Sequence, residues 1–259
     1  MEATAETTEG EATPQPPSFG RRVLGWLTEG VLILVGAIVI ATLLRTFVGQ
    51  MFVIPSGSME NTLQVNDRVL VSKFGGFQRG DVVVFEDPGN WLAPSPPTEN
   101  PLKIALEFVG VLPNSGTEHL IKRVIGMPGD HVRFSADVGQ LEVNGEPLEE
   151  SAYLYAVDGM QVAPATVPFE IVVPEGHIFV MGDHRNASAD SRCRLGDVSQ
   201  NPGSNAFVPI DKVVGASVAI VAPLDRISTF NLPETFNDVP EPAGAAPAQP
   251  DLIHTEPGC

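Results

Sequence analysis

The longest apolar run lies near the N-terminus and predicts a membrane-spanning helix. Residues Gly30–Leu44 carry no charge. Together with the flanking residues, from Trp26 to Phe47, the run would extend about 33 Å as a helix, which is long enough to cross a bilayer. Trp26 and Phe47 suit the two membrane interfaces, and no small-x-small cleavage site follows. We therefore expect an uncleaved anchor over residues 21–48, rather than a buried core helix or a removed signal peptide.

Beyond the anchor the apolar residues fall into short β-branched runs separated by turns, a pattern that predicts strands. The candidate strands are Arg68–Lys73, Asp81–Phe85, Leu120–Ile125, Val132–Phe134, Leu141–Val143, Ile178–Met181 and Val213–Val221. Asn144-Gly145 favours a tight hairpin turn, and Pro128–Asp130 favours a second turn. We expect a mostly β, antiparallel domain over residues 49–230.

An insertion at about residues 88–118 interrupts this pattern. It starts with a proline-rich stretch and continues with Leu102–Leu112, which is almost wholly apolar. Eleven residues cannot span a bilayer. Two interpretations stay open: a short element packed on the domain, or a hydrophobic flap that enters the membrane interface beside Trp91 and Leu92.

The charge distribution argues against nucleic acid as a partner and sets the two ends of the chain apart from the middle. The net charge is −17, and residues 1–20 and 231–259 contain acidic residues without Lys or Arg. Both tails have few large apolar side chains, so we expect both to be disordered. No basic stripe is present to neutralise phosphates, which argues against nucleic-acid binding.

The basic residues around the anchor favour one membrane orientation. Arg21 and Arg22 precede the helix and Arg45 closes it. The positive-inside rule then favours a cytoplasmic N-terminus, with residues 50 onward outside the cytoplasm.

Three polar segments carry the candidate chemistry. Ile54–Leu63 contains a Ser-Gly-Ser turn, Ile121–Asp130 contains Lys122 in a strand otherwise built for burial, and Gly182–Arg192 is dense in polar groups. If Lys122 points inward, burial disfavours its charged form, and a neutral amine can act as the base for a serine. The strand pattern alone leaves the face of Lys122 open, and an outward-facing lysine is the ordinary alternative.

Taken together, these segments resemble the type I signal peptidases, in the order anchor, SGSM, KRVIGMPGD and GDHRNASADSR, over residues of about 20 to 225. The resemblance implies that Ser58 is the nucleophile and Lys122 the general base. Ser56 would complete an oxyanion hole with the Ser58 N–H. Ser188 would bond the base, and Asp190 and Arg192 would form the structural pair behind it.

The resemblance also implies the fold, the activity and the partners. The fold would be an antiparallel β-sheet catalytic domain with a second smaller β portion. The activity would be cleavage of exported preproteins after Ala-x-Ala-like sites, without a metal or organic cofactor. Signal peptides, membrane lipid and the secretion translocon are the implied partners, at the cytoplasmic membrane. The shallow S1 and S3 pockets would be formed by Phe52, Ile54, Pro55, Met59, Leu63, Leu120 and Ile121.

Several alternatives remain beside this interpretation. His184 could serve as a base, although it stands beside Arg185 in a polar loop. Cys193 and Cys259 could pair outside the cytoplasm, although Cys259 ends a tail expected to be disordered. A membrane-anchored β module without activity, and a self-cleaving Ser–Lys protein of the repressor type, are the two rival functions. The anchor argues against the second.

Overall fold

The chain divides into an N-terminal helical unit and a β-rich unit, with the boundary between Thr42 and Leu43. The computed structural model describes residues 19–47, 49–89, 91, 92, 100, 101, 119–199, 201–255 and 258. Residues 1–18 and most of the 88–118 insertion lie outside this part. The predictions made for residues 1–18 and for Leu102–Leu112 therefore stay predictions.

Helix α1, Phe19–Phe47, makes up the described part of the N-terminal unit, and its last residues, from Leu43, are assigned to the β-rich unit. Its segment Gly25–Leu43 is long and apolar enough to cross a membrane, and none of that segment is buried. Trp26, for example, is 75% exposed. An apolar helix whose described segment is exposed along its length fits the predicted membrane anchor.

The strands of the β-rich unit follow α1 along the chain. Its strands are β1 Gly49–Val53, β2 Arg68–Ser72, β3 Val82–Glu86, β4 His119–Gly126, β5 His131–Ser135, β6 Gln140–Val143, β7 Glu146–Pro147, β8 Ala156–Val157, β9 Met160–Gln161, β10 Phe169–Val172, β11 His177–Met181, β12 Val208–Pro209, β13 Val213–Ala222, β14 Ser228–Thr229 and β15 Asp251–Thr255. The helical pieces are α2 Ser191–Arg194 and the 3-10 turns Gly57–Met59, Arg185–Ala187, Ser204–Ala206, Ile210–Lys212, Leu224–Arg226 and Glu234–Phe236. All seven predicted strands are confirmed.

Eight strands form the larger sheet, in the order β1-β2-β13-β3-β4-β11-β12, with β14 added beside β13. The pairs are antiparallel. Strand β4 lies between β3 and β11, and its residues Leu120–Gly126 are all buried. Two apolar clusters pack on this sheet, one around Met59 and one around Phe85. The full burial of β4 explains its nearly continuous apolar sequence, and it buries the charged Lys122 and Arg123 as well.

The smaller sheet has the order β15-β10-β5-β6-β7, and β8 and β9 form a separate hairpin. Asn144 and Gly145 join β6 to β7 with φ values of 54° and 83°, as a primed hairpin turn requires. The turn before β5 is closed by a 2.9 Å hydrogen bond from the Asp130 N–H to the Met127 carbonyl. The predicted fold class is confirmed: two antiparallel sheets, the second one smaller.

The C-terminal segment corrects one prediction. Residues 231–259 were expected to be disordered, but β15 pairs with β10 and the Phe236 side chain is buried. A Cβ added at Gly80 would meet the Phe236 ring at 2.6 Å, and one at Gly203 would meet Leu252 at 2.7 Å. The segment is poor in large apolar residues, but the few that it has fill glycine-lined sites and its backbone completes a sheet. The prediction from composition was therefore wrong for residues 231–255.

Two further observations bear on the insertion and the cysteines. Trp91 is buried, donates from Nε1 to the Asn205 carbonyl at 2.8 Å and meets Phe85 edge to face. Trp91 therefore belongs to the domain core, whereas the proposed flap itself, Leu102–Leu112, lies outside the described residues. Cys193 is disulfide-bonded, whereas Cys259, the chain's other cysteine, lies outside the described residues.

Candidate active site

Ser58 lies in a 3-10 turn, Gly57–Met59, that follows β1. Upstream, the Ile54 N–H donates to the Asp67 carbonyl at 2.9 Å, and the Asn66 N–H donates to the Ile54 carbonyl at 2.8 Å. Downstream, Met59 is fully buried. The turn is thus fixed at both ends, which holds the Ser58 side chain on a stiff backbone.

Lys122 reaches this turn from β4. Its Nζ lies 2.6 Å from Ser58 Oγ and 3.0 Å from the Ile121 carbonyl oxygen. The side chain is buried, so the inward orientation that the strand pattern left open is the one observed. Burial lowers the pKa of Lys122 to about 8; the charges of Asp190 and Asp183 oppose this shift and that of Arg192 adds to it.

Ser56 lies on the exposed side of the same turn. Its backbone is extended, and its Oγ is 3.4 Å from Ser58 Oγ. A hydroxyl at this position is beside Ser58 Oγ and open to solvent, so it is free to turn toward a molecule bound there.

Gly182 allows the third segment to approach the nucleophile turn. A Cβ at Gly182 would lie 2.5 Å from the Ser58 carbonyl oxygen and overlap the Ser188 hydroxyl. The His184 N–H donates to the same Ser58 carbonyl at 3.1 Å. The backbones of the two segments therefore touch directly, and only glycine fits between them.

Ser188 is buried beside this contact but differs from the expectation. Within the described residues its Oγ has no hydrogen-bond partner of good geometry, and it makes no bond to Lys122. It is close enough to Asp190 to contribute to lowering that residue's pKa. Lys122 is held instead by Ser58 and by the Ile121 carbonyl.

Asp190 and Arg192 form a buried, two-pronged ion pair, with distances of 2.9 Å from Nε to Oδ1 and 2.8 Å from Nη2 to Oδ2. Asp190 also accepts from the Gly182 N–H at 2.9 Å, and Arg192 donates to the Arg185 carbonyl at 2.8 Å. Burial alone would raise the pKa of Asp190, but the ion pair with Arg192 and the hydrogen bond from the Gly182 N–H lower this pKa. The pair fixes Gly182 in position.

A second buried pair, between Arg123 and Asp183, was not predicted. Nε donates to Oδ1 at 2.8 Å and Nη2 to Oδ2 at 2.6 Å, and Thr62 Oγ1 also bonds Asp183. The guanidinium lies 4.3 Å from the centre of the Tyr153 ring. A charged residue in a wholly buried strand needs a partner of opposite charge. This rule was the signal in the sequence that could have indicated a buried partner for Arg123.

The pair between Glu150 and Arg185 was also missed. Arg185 Nη2 lies 2.5 Å from Glu150 Oε1, and the Tyr153 hydroxyl donates to the same oxygen at 2.8 Å. Arg185 Nε donates to the Gly182 carbonyl at 2.8 Å. These contacts tie the loop after β7 to the catalytic loop, a long-range link that the sequence pattern does not reveal.

His184 does not bond the nucleophile hydroxyl. Its Nδ1 lies 2.9 Å from Glu60 Oε2 and 3.2 Å from the Gly57 carbonyl, and its ring stacks on Tyr155. The imidazole therefore lies beside the Ser58 turn, but it is not bonded to the Ser58 hydroxyl as a base would be.

The residues expected to form the substrate pockets fall into three places. Ile54, Met59, Leu63 and Ile121 are buried in one cluster, with the partly buried Phe52 packed against it. Pro55 is exposed beside this cluster. Leu120 belongs to the other cluster, around Phe85. Five of the seven thus belong to one cluster, which includes Met59 of the Ser58 turn, and Leu120 lies in the other cluster.

Comparison with known proteins covers the anchor and the whole site. The family model for signal peptidase, peptidase S26, matches residues 27–222. A signal peptidase I from Mycobacterium tuberculosis (strain ATCC 25618 / H37Rv) is 35% identical over 225 residues, covering 77% of this chain and 74% of the relative. A probable signal peptidase I from Mycobacterium leprae (strain TN) is 35% identical over 259 residues, covering 87% and 84%. A signal peptidase I from Leptolyngbya laminosa is 31% identical over 226 residues, covering 86% and 93%.

Proposed function

Because the chain belongs to the signal peptidase family, peptidase S26, we propose that it is a membrane-anchored serine endopeptidase with Ser58 as nucleophile and Lys122 as general base. Signal peptidase I activity, on the signal peptides of exported preproteins, follows from the membership. The assignment of the two residues rests on one observation, the 2.6 Å contact between a buried lysine amine and a serine hydroxyl.

The chemistry requires Lys122 to be neutral when the substrate is attacked. With a pKa of about 8, about one molecule in ten carries the neutral amine at pH 7. Neutral Lys122 accepts the proton of Ser58 as Oγ attacks the scissile carbonyl carbon. The protonated amine then gives its proton to the leaving amine, and the neutral form activates water to release the acyl group.

The negative charge that develops on the carbonyl oxygen needs donors near Ser58. We assign this role to the Ser58 N–H and the Ser56 hydroxyl, which lies 3.4 Å from Ser58 Oγ. Such a donor contributes about 3–4 kcal/mol to the transition state in a well-studied serine protease. Ser56 is exposed in the structure, so its hydroxyl is free to turn toward the carbonyl oxygen of a substrate when the substrate binds.

The supporting residues act through position. Asp190 and Arg192 hold Gly182, and Gly182 packs against the backbone of Ser58. Ser188, buried next to Asp190, is assigned as the hydroxyl that orients the amine during turnover. These residues keep Ser58 and Lys122 in contact without touching the substrate themselves.

Specificity and location complete the proposal. Phe52, Ile54, Met59, Leu63 and Ile121 are assigned to the apolar floor that admits only small side chains, which favours cleavage after Ala-x-Ala-like sites. Pro55 and Leu120 would line the edges of these pockets. Helix α1 is the membrane anchor, with its N-terminus in the cytoplasm, and membrane lipid and the secretion translocon are its proposed surroundings.

The test is cleavage of a peptide containing an Ala-x-Ala site by the detergent-solubilised full chain. Wild type should cut after the second alanine, whereas Ser58→Ala and Lys122→Ala should be inactive although both remain folded. The matched controls Ser135→Ala and Lys73→Ala, on solvent-facing strand and loop positions, should retain activity. If either active-site variant keeps full activity, the assignment of that residue is wrong.

A further inference from the structure

A cavity of about 720 Å³ lies on the β-rich unit, outside the Ser58–Lys122 contact. Its lining includes residues of β2, β3, β4 and β13, the loop that contains Phe74, and the 228–234 segment. None of the roles assigned above requires this cavity, and its volume is within the range of small-ligand sites. We therefore considered which ligand its chemistry would accept.

Ser217 on β13 contributes an unpaired polar group to the lining. The residue is only 5% exposed, and its Oγ has no hydrogen-bond partner within the described part of the chain. A buried hydroxyl without a partner costs free energy that a ligand's polar atom could recover. Such a group distinguishes a potential binding site from a solvent-filled gap in the packing.

The charge of the lining is negative. Asp81 and Glu234 both line the cavity. Asp81 Oδ2 accepts from the Gln78 N–H at 2.9 Å, while its Oδ1 accepts nothing within the described residues. Burial raises the pKa of Asp81, against smaller opposing effects of Gln78 and Arg123, as expected for a carboxylate without a full partner.

Arg123, the one cation among the described lining residues, is not available to an anionic ligand. Arg123 already makes four hydrogen bonds, to Asp183, Thr62 and the Gly80 carbonyl. Its charge is neutralised by Asp183. The remaining field comes from Asp81 and Glu234, and it favours a positively charged occupant.

Apolar and aromatic groups line the same cavity as these carboxylates. Phe74 lines the cavity, is 61% exposed and precedes Gly75 and Gly76, whose φ values are 88° and 70°. Phe230 and Leu232 form another part of the lining. An exposed aromatic face beside a carboxylate suits a cation on an aliphatic stem, since the stem packs on the apolar wall and the head reaches the acid.

We propose that this cavity is a second binding site, which takes a basic side chain, arginine or lysine, of a peptide segment. The cationic head would lie between Asp81 and Phe74, within reach of the Ser217 hydroxyl. The basic side chain can belong to the preprotein that is being cut or to a separate peptide.

Binding is tested with the full chain in detergent micelles and N-acetyl-arginine N-methylamide as the probe, followed by ligand-observed NMR. The neutral citrulline analogue, which has nearly the same shape, is the control ligand. The arginine probe should bind and the citrulline analogue should bind at least tenfold more weakly, roughly the effect of one hydrogen bond to a charged group. Ser58→Ala should bind the probe as wild type does.

Three variants locate the probe. Asp81→Asn keeps an acceptor for Gln78 and should weaken binding about tenfold or more, whereas Phe74→Ala should weaken it about two- to fivefold. Ser217→Ala should weaken binding without lowering thermal stability, because it removes a hydroxyl that has no partner in the described structure. Asp211→Asn, an exposed carboxylate outside the cavity, should leave binding unchanged.

Three results would overturn the proposal. The first is no binding of the arginine probe up to about 10 mM, an affinity too weak for a functional site. The second is binding that Asp81→Asn leaves intact at unchanged stability, and the third is equal binding of the citrulline analogue. Any of them would identify the cavity as a gap in the packing.

A second assay distinguishes the two sources of the basic side chain, and this assay alone rests on the proposed peptidase activity. Cleavable peptides carrying arginine or citrulline at successive positions after the scissile bond are compared. A KM that falls only with arginine, and only when Asp81 is intact, assigns the site to the preprotein. An unchanged KM, with the free probe still bound, assigns it to a separate peptide.

Discussion

Arg123 and Asp183 join β4, the strand of Lys122, to the loop that follows β11 through two parallel hydrogen bonds of 2.8 and 2.6 Å. Arg123 directly follows Lys122, and Asp183 directly follows Gly182. Both side chains are buried. The pair therefore fixes the backbone on both sides of the Ser58–Lys122 contact, although neither residue touches Ser58.

Breaking this pair should destabilise the fold strongly. Arg123→Met leaves Asp183 buried without its cation, which we expect to lower the free energy of unfolding by about 3–5 kcal/mol. Chemical denaturation of the full chain in detergent measures the loss. Arg133→Met, at a half-exposed pair with Glu142, should cost no more than about 1 kcal/mol. Equal losses in the two variants would contradict this prediction.

The pH dependence of cleavage should follow Lys122. Because burial lowers its pKa to about 8, kcat/KM should rise about tenfold per pH unit below pH 8 and level off above it. Initial rates on a short peptide substrate between pH 5.5 and about 9.5 measure the profile. A rate that is flat from pH 6 to about 9 would show that Lys122 does not titrate in the free enzyme.

The same pKa predicts a slope in stability. Between about pH 8 and 10.5 the unfolded chain keeps the proton on Lys122 while the folded chain has released it. The unfolded state then binds more protons, so the free energy of unfolding contributed by this group rises with pH across that window. Lys122→Met should be more stable than wild type at pH 7, and the difference should shrink toward pH 10.5. A constant difference would contradict the assignment.

Gly182 should not tolerate a side chain. Gly182→Ala places a methyl group 2.5 Å from the Ser58 carbonyl oxygen, so the nucleophile turn has to move. A displacement of about 1 Å can reduce the rate about 100-fold, and we expect a loss of that size in kcat. Gly244→Ala is the matched control, because its Cβ would meet nothing within 4 Å. Full activity of Gly182→Ala would show that the two segments do not need this contact.

The ordered C-terminal segment should contribute to stability. Phe236→Ala removes a ring that fills the space above Gly80 and stacks on Tyr153, which should cost about 3–5 kcal/mol of unfolding free energy. Leu224→Ala, at a side chain that is 84% exposed, should change stability by less than about 0.5 kcal/mol. Thermal and chemical unfolding of both variants measure these changes in the free energy of unfolding. A negligible effect of Phe236→Ala would support the original expectation of a disordered tail.

Much of the fold could be predicted from the sequence because the strands of the sheet interiors are β-branched runs with turn residues at their ends. β4 and β13 are examples, and both were predicted within two residues of their observed ends. β10 and β15 were missed. β15 contains a histidine, an aspartate and a threonine, and it is a strand because β10 offers it a free edge, which composition does not reveal.

The candidate site was predictable to a different degree at each residue. Ser58 and Lys122 could be picked out because three short polar segments stood in one order along the chain. The face of Lys122 could not be predicted, because a strand pattern buried on both sides has no polar alternation to read. The partners Glu150 and Asp183 were missed, since a contact across many residues depends on how the sheets pack.

The pairing of β15 with β10 also governs when the smaller sheet can close during synthesis. About 80 residues separate Val172 from Asp251, and at roughly 5–20 residues per second the ribosome needs about 4–16 s to add them. Throughout that interval β10 presents an open strand edge of the kind that recruits foreign strands. Chaperoning of the nascent chain is therefore most needed in this interval, before residues 251–255 have emerged to cover the edge.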